Sequence, residues 1–146
     1  MNVKKFWIAF IVIFIVLEVT SYIIHVVILG ATYEGEEVKN VFRSMEEMNS
    51  KMWIMWLMDV VWTFFFTFIF VKGYENKGIM EGFKYGIYIG LFIPLVMAYQ
   101  SYVVYPLPYW LVFQWFIYGL IQCIILGAAA ALIYKPKPAV ATSEGS

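Results

Sequence analysis

The stretch that decides the fold is FWIAFIVIFIVLEVTSYIIHVVILG, residues 6–30. Apart from one acid, one histidine and a few hydroxyls it is continuous hydrocarbon, and it raises the question of what Glu18 and His25 do inside it. A helix crosses a hydrocarbon core roughly 30 Å thick with about 20 mostly apolar residues, and this run is long enough. Three further runs reach the same length, at 52–71, 85–105 and 109–134. They are continuous rather than alternating, which reads as helices and not barrel strands, and a helix satisfies its own backbone hydrogen bonds where water is absent.

Composition agrees. The chain is 63% hydrophobic and 14% charged, against about 45–50% and about 25% in an ordinary soluble domain. A soluble fold of 146 residues leaves too much surface exposed to hide that load. The expected fold is therefore all-α: a four-helix transmembrane bundle forming a single domain over 1–138, with a disordered tail at 139–146. The first run exceeds the roughly 7–15 apolar residues of a signal peptide's core and carries Glu18 near its middle, so it is expected to stay as a span.

Lysines set the expected orientation, because cytoplasmic flanks are enriched in Lys and Arg. Lys4 and Lys5 precede span one, Lys72, Lys77 and Lys84 lie between spans two and three, and Lys135 and Lys137 follow span four. Both termini are expected in the cytoplasm. In the long connection EEVKNVFRSMEEMNSKMW (36–53), Val38, Val41, Phe42, Met45, Met48 and Met52 recur at helical spacing. That period predicts a short amphipathic helix on the outer surface, with Ser44 and Glu47 as a capping box for the helix that becomes span two.

Span three carries Gly82, Gly86 and Gly90 four apart, continued by Pro94 and Ala98. Span four carries Gly119, Cys123, Gly127 and Ala131 at the same spacing. Small residues let helix backbones approach closely, which matters in lipid because oily side chains gain nothing by exchanging one apolar medium for another. The short YPLPYW turn makes the two spans antiparallel neighbours, so the stripes are expected to face each other, with Pro94 bending span three. The same glycines would alternatively pack between subunits.

Polar residues form stripes of their own. Glu18, Ser21, Tyr22 and His25 share one face of span one, Asp59 and Thr63 one face of span two, and Gln114, Tyr118 and Gln122 one face of span four, with Gln100 on span three. An ionised carboxylate in hydrocarbon costs about 2.5–3.5 kcal/mol or more, so these faces are expected to turn inward. The expectation is one polar cluster in the outer half of the bundle, comprising Glu18, Ser21, Tyr22, His25, Asp59, Thr63, Gln100, Gln114 and Gln122, either as a ligand or proton site or as structural glue.

Other chemistry lacks its motifs. One histidine, one cysteine and no CxxC or HExxH give no metal or haem set within the chain, so no metal and no cofactor are expected. There is no GxSxG and no phosphate loop, and the glycine series lies inside a span. No basic, aromatic-interleaved face of the kind nucleic-acid binders use is present, so no nucleic-acid partner is expected. The methionines at 45, 48, 52, 55 and 58 follow helical spacing as core and interface filler, and the aromatic residues read as a membrane-interface belt.

With its KGYENKGIMEGFKYG connection (72–86), its YPLPYW turn and its polar first span, the chain resembles small uncharacterised bacterial four-span membrane proteins. The resemblance covers general layout. It implies a bacterial inner-membrane location and carries no activity or site. The leading functional expectation is a non-enzymatic scaffold or accessory subunit that works by helix packing in the lipid bilayer, through self-association or within a larger membrane complex. The alternatives are a proton-linked or small-solute carrier using Glu18, His25 and Asp59, and a quinone or lipid binding site.

Overall fold

The computed structural model describes residues 1–135, so the tail expected at 139–146 lies outside the described residues. The elements are α1 (Val3–Tyr22), a π-helical turn (Ile23–Ile28), α2 (Gly30–Tyr33), α3 (Met45–Lys72), α4 (Ile79–Val104) and α5 (Tyr109–Ile133). Among the described residues four stretches are long and apolar enough to cross a membrane: Val3–Ile28, Met45–Lys72, Ile79–Val104 and Tyr109–Ile133. The expected four-helix bundle is the fold.

Local chemistry sets the helix ends. The Asn2 side chain accepts from the Lys5 N–H and starts α1. Ser44 accepts from the Glu47 N–H at 3.3 Å and starts α3, as the capping-box spacing predicts. Gly73 ends α3, its N–H reaching the Ile69 carbonyl. Gly78 takes φ +78°, a conformation open to glycine, and the Glu81 carboxylate accepts from the backbone of Glu75 and Lys77 to fix this turn.

The connection between α1 and α3 departs from expectation. Residues 34–42 form successive turns, not an amphipathic helix, and α3 is one unbroken helix from Met45. The apolar period of 38–52 is split by the Ser44 cap. Val38, ahead of the cap, is buried with Leu29, Leu107 and Leu111, and Val41 and Phe42 pack beside them as a plug over the far end of the bundle. Met45, Met55 and Met58, beyond the cap, are exposed rather than core filler.

The α4–α5 hairpin is the tightest contact in the molecule. Gly82, Gly86 and Gly90 face Gly127, Cys123 and Leu120, and Gly119 receives the ring of Pro94. A Cβ at Gly86 would stand 2.6 Å from the Ile124 Cα, and one at Gly82 would stand 2.7 Å from the Ala131 Cβ. The two stripes thus close on each other within one chain rather than between subunits. α4 runs through Pro94 without interruption, and Ala98 continues the buried stripe toward Leu111 and Val112.

α1 packs against both α5 and α3. Its buried Phe6, Ala9, Ile13 and Leu17 meet Phe66 and Phe70 of α3 and Leu126, Ala130 and Ala131 of α5. The order around the bundle is α3, α1, α5, α4. Between α4 and α3 the seam is tied near the lysine-rich end, where the Tyr85 hydroxyl donates to the Phe66 carbonyl at 2.7 Å and its ring meets Phe66 and Phe70. At that same end the Asn2 N–H donates to the Tyr134 hydroxyl, which brings the start of α1 and the end of α5 together. In the opposite half α3 stands clear, with Trp53 through Met58 exposed on every side.

Gly86→Ala is expected to destabilise the protein by about 1–3 kcal/mol, because the added methyl meets backbone that cannot move aside. Gly30→Ala, where a Cβ meets nothing within 4 Å, serves as the neutral control. Thermal unfolding in detergent measures both.

Candidate functional site

Glu18 of α1 and Asp59 of α3 are neighbours across the packing of α1 on α3. Counted inward from the outer ends of the apolar runs 6–30 and 52–71, Glu18 lies twelve residues deep and Asp59 seven. The helix boundaries explain why they coincide: α3 begins at Met45, so Asp59 sits midway along it, fourteen residues after Met45 and thirteen before Lys72. Glu18 lies fifteen residues from Val3 and ten from Ile28. At ~1.5 Å of rise per residue, both are deep in the apolar layer.

The surroundings leave this pair without a counter-ion. The ion pairs among the described residues are Lys39–Glu36, Arg43–Glu47, Lys51–Glu47 and Lys77–Glu75, all in connections or at a helix start. Glu18 Oε1 is buried and receives no hydrogen bond. One helical turn beyond Asp59, Thr63 is fully buried with its hydroxyl unpartnered, and Thr67 repeats this a turn further on. A hydroxyl at such a position has its own helix backbone and little else to bond. Asp59 also borders a groove of about 420 Å³ between α3 and α4.

The remaining polar residues do not join one cluster. Gln122 of α5 donates to the hydroxyls of Thr20 and Ser21, at 2.8 and 2.9 Å, and approaches the Leu17 carbonyl. This ties α5 to α1 just beyond Glu18. Gln114 Oε1 is buried and unpartnered. Tyr22 is 61% exposed, and Gln100 is exposed on α4 beside a shallow groove lined by Tyr99 and Val103. Both face outward, contrary to expectation. Gln100 is the contribution the expected layer needed from span three, but the glycine stripe takes the inward face of α4.

His25 is also displaced from the acids. It lies on the π-helical turn, where Leu29 N–H bonds the Ile24 carbonyl five residues back, and the extra residue in the turn rotates the helix face. The ring is exposed and bonds the Tyr33 hydroxyl through Nδ1 at 2.8 Å. Trp115 Nε1–H donates to the same hydroxyl at 2.8 Å. Tyr33 accepts from Trp115 and is then free to donate to His25, which puts the histidine's own proton on Nε2. Burial pushes the Tyr33 phenol up, opposed by the Trp115 bond, and the hydroxyl keeps its proton. Phe42 packs on both Tyr33 and Trp115.

Sequence reasoning missed Tyr33, Trp115, Thr20 and Thr67. Thr67 was reachable, since it extends the Asp59–Thr63 spacing by one turn. Trp115 was read as part of an interface belt, although its indole N–H has a partner inside the fold.

The arrangement defines a helical membrane bundle with a mid-depth pair of carboxyl groups. No protein-family model, no curated protein and no solved structure matches the chain.

Tyr33→Phe removes the bond to Trp115 that holds the connection on α5 and the bond to His25 on the π-helical turn. The expected loss is about 1 kcal/mol per bond, read as faster amide hydrogen exchange across residues 30–42 with the α4–α5 hairpin unchanged.

Proposed function

We propose that this chain is a small proton-linked membrane carrier whose working group is the Glu18–Asp59 pair. The observation that supports it is the meeting of two carboxyls in hydrocarbon with no cationic side chain beside them. Two neighbouring carboxylates away from water are costly to keep fully charged together, whereas a proton shared between them lets one group donate and the other accept. Ionisable residues within membrane spans mark proton and substrate paths by default. A shared proton needs no row of charges, so the low charge content of the spans does not oppose it.

In this reading both termini face the cytoplasm of a bacterial inner membrane. The supporting feature is the lysine-rich end, with Lys4, Lys5, Lys72, Lys77, Lys84 and Lys135 at the mouths of the helices. The test is an imposed pH gradient across vesicles holding the purified protein. A hydrogen bond to a charged group contributes about 1.5–3 kcal/mol, so Glu18→Gln or Asp59→Asn should slow the proton response about tenfold or more. An unchanged response in both variants overturns the proposal.

A second reading, an accessory subunit acting through packing, draws on the first half of α3. Trp53 through Met58 are exposed on all sides of the helix, a surface that a second copy or another membrane protein would cover. Trp56→Cys in a Cys123→Ser background is then expected to crosslink in native membranes. Monomer alone would count against self-association or a complex through this face.

A further inference from the structure

The seam between α3 and α4 is a groove of about 420 Å³, within the roughly 300–1,000 Å³ range of small-molecule sites. Its α3 wall combines Trp62, Phe65 and Phe66 with the aliphatic Met58, Val61 and Ile69. Trp62 stacks on Phe66 with ring centroids 4.9 Å apart, and Phe65 projects beside them, 54% exposed toward the lipid. Its α4 wall is Tyr85, Ile89 and Ile93. The Tyr85 hydroxyl is committed to the Phe66 carbonyl, so this ring offers its surface and not its polar tip. Asp59 is the one charged residue among those lining the groove.

The chemistry of these walls selects an occupant. Aromatic faces attract cations through their quadrupoles, most strongly when desolvated, and a carboxylate provides the matching charge. An acyl chain would fill the apolar wall and leave Asp59 unanswered. A quinone is neutral and would likewise leave the Asp59 carboxylate without a counter-charge. What the site lacks is positive charge.

We propose that the α3–α4 groove binds a hydrophobic organic monocation, with Asp59 as its counter-charge and Trp62, Phe65, Phe66 and Tyr85 as its walls. This rests on the carrier reading and names its substrate class. The exchange balances: two carboxylates sharing one proton carry a net charge of minus one, and two carboxylates with a monocation carry the same, so one proton leaves as one cation enters. The groups facing Asp59 are few. Glu18 faces it from α1, the committed Tyr85 phenol lies across the groove on α4, and α5 contains no charged residue. His25 is turned away onto Tyr33.

The probe is tetraphenylphosphonium, titrated into the full-length protein in nanodiscs across a range of pH. Saturable binding is expected, weakening as pH falls, with one proton released per cation bound. Asp59→Asn should abolish it. Phe65→Ala, at a lipid-exposed wall position, should weaken it several-fold without changing thermal unfolding, which separates loss of the site from loss of the fold. Absence of saturable binding at every pH, or binding unaffected by Asp59→Asn, overturns the proposal. If the probe fails to bind while vesicle proton movement still depends on Glu18 and Asp59, the substrate class falls and the carrier reading survives. If the probe binds through Asp59 without releasing a proton, the groove stands and the carrier reading falls.

Discussion

The close approach of α4 and α5 sets the geometry of everything else. In lipid no hydrophobic force draws two apolar helices together, so contact depends on how near the backbones can come. Gly82, Gly86 and Gly127 leave room for that, and Pro94 seats over Gly119 where a larger residue would obstruct it. With α4 pressed onto α5, the inward face of α4 is fully used. α1 then leans on the other side of α5, α3 leans on α1, and α4 has little left with which to grip α3 beyond Tyr85. The open seam between α3 and α4 is the geometric consequence of the tight seam between α4 and α5.

That asymmetry also decides which polar groups meet. α1 carries polar residues toward two neighbours: Thr20 and Ser21 toward Gln122 of α5, Glu18 toward Asp59 of α3. The first contact is neutral and satisfied, and it positions α1 along α5. The second joins two acids, and hydrogen bonding cannot complete it without a proton or a cation. The bundle thus has a satisfied polar lock on one side of α1 and an unsatisfied acidic contact on the other.

The sequence made much of this legible. Span number, the Ser44 cap, the Gly73 and Gly78 turn and the facing glycine stripes follow from local spacing, and local spacing survives folding. The single polar layer did not survive, for two identifiable reasons. Depth was counted from the start of the apolar run, whereas α3 begins with the charged turn at Met45 and carries Asp59 down to the level of Glu18. Periodicity was extended through residue 25, whereas the π-helical turn inserts one residue and swings His25 off the Glu18 face. A polar stripe shows which residues share a helix face. It does not show which neighbour that face meets, and here the glycine stripe had already taken the inward face of α4 from Gln100.

The position of Asp59 connects the two halves of the functional reading. A carboxyl buried wholly between α1 and α3 would exchange a proton with nothing, and one on an open lipid face would have no second acid to share it. Asp59 lies on the edge between these environments, touching Glu18 on one side and lining the α3–α4 groove on the other. Any occupant of the groove that brings positive charge therefore acts on the same group that holds the shared proton, and coupling between the two follows from electrostatics across a single side chain. No moving lid or long relay is required for that first step.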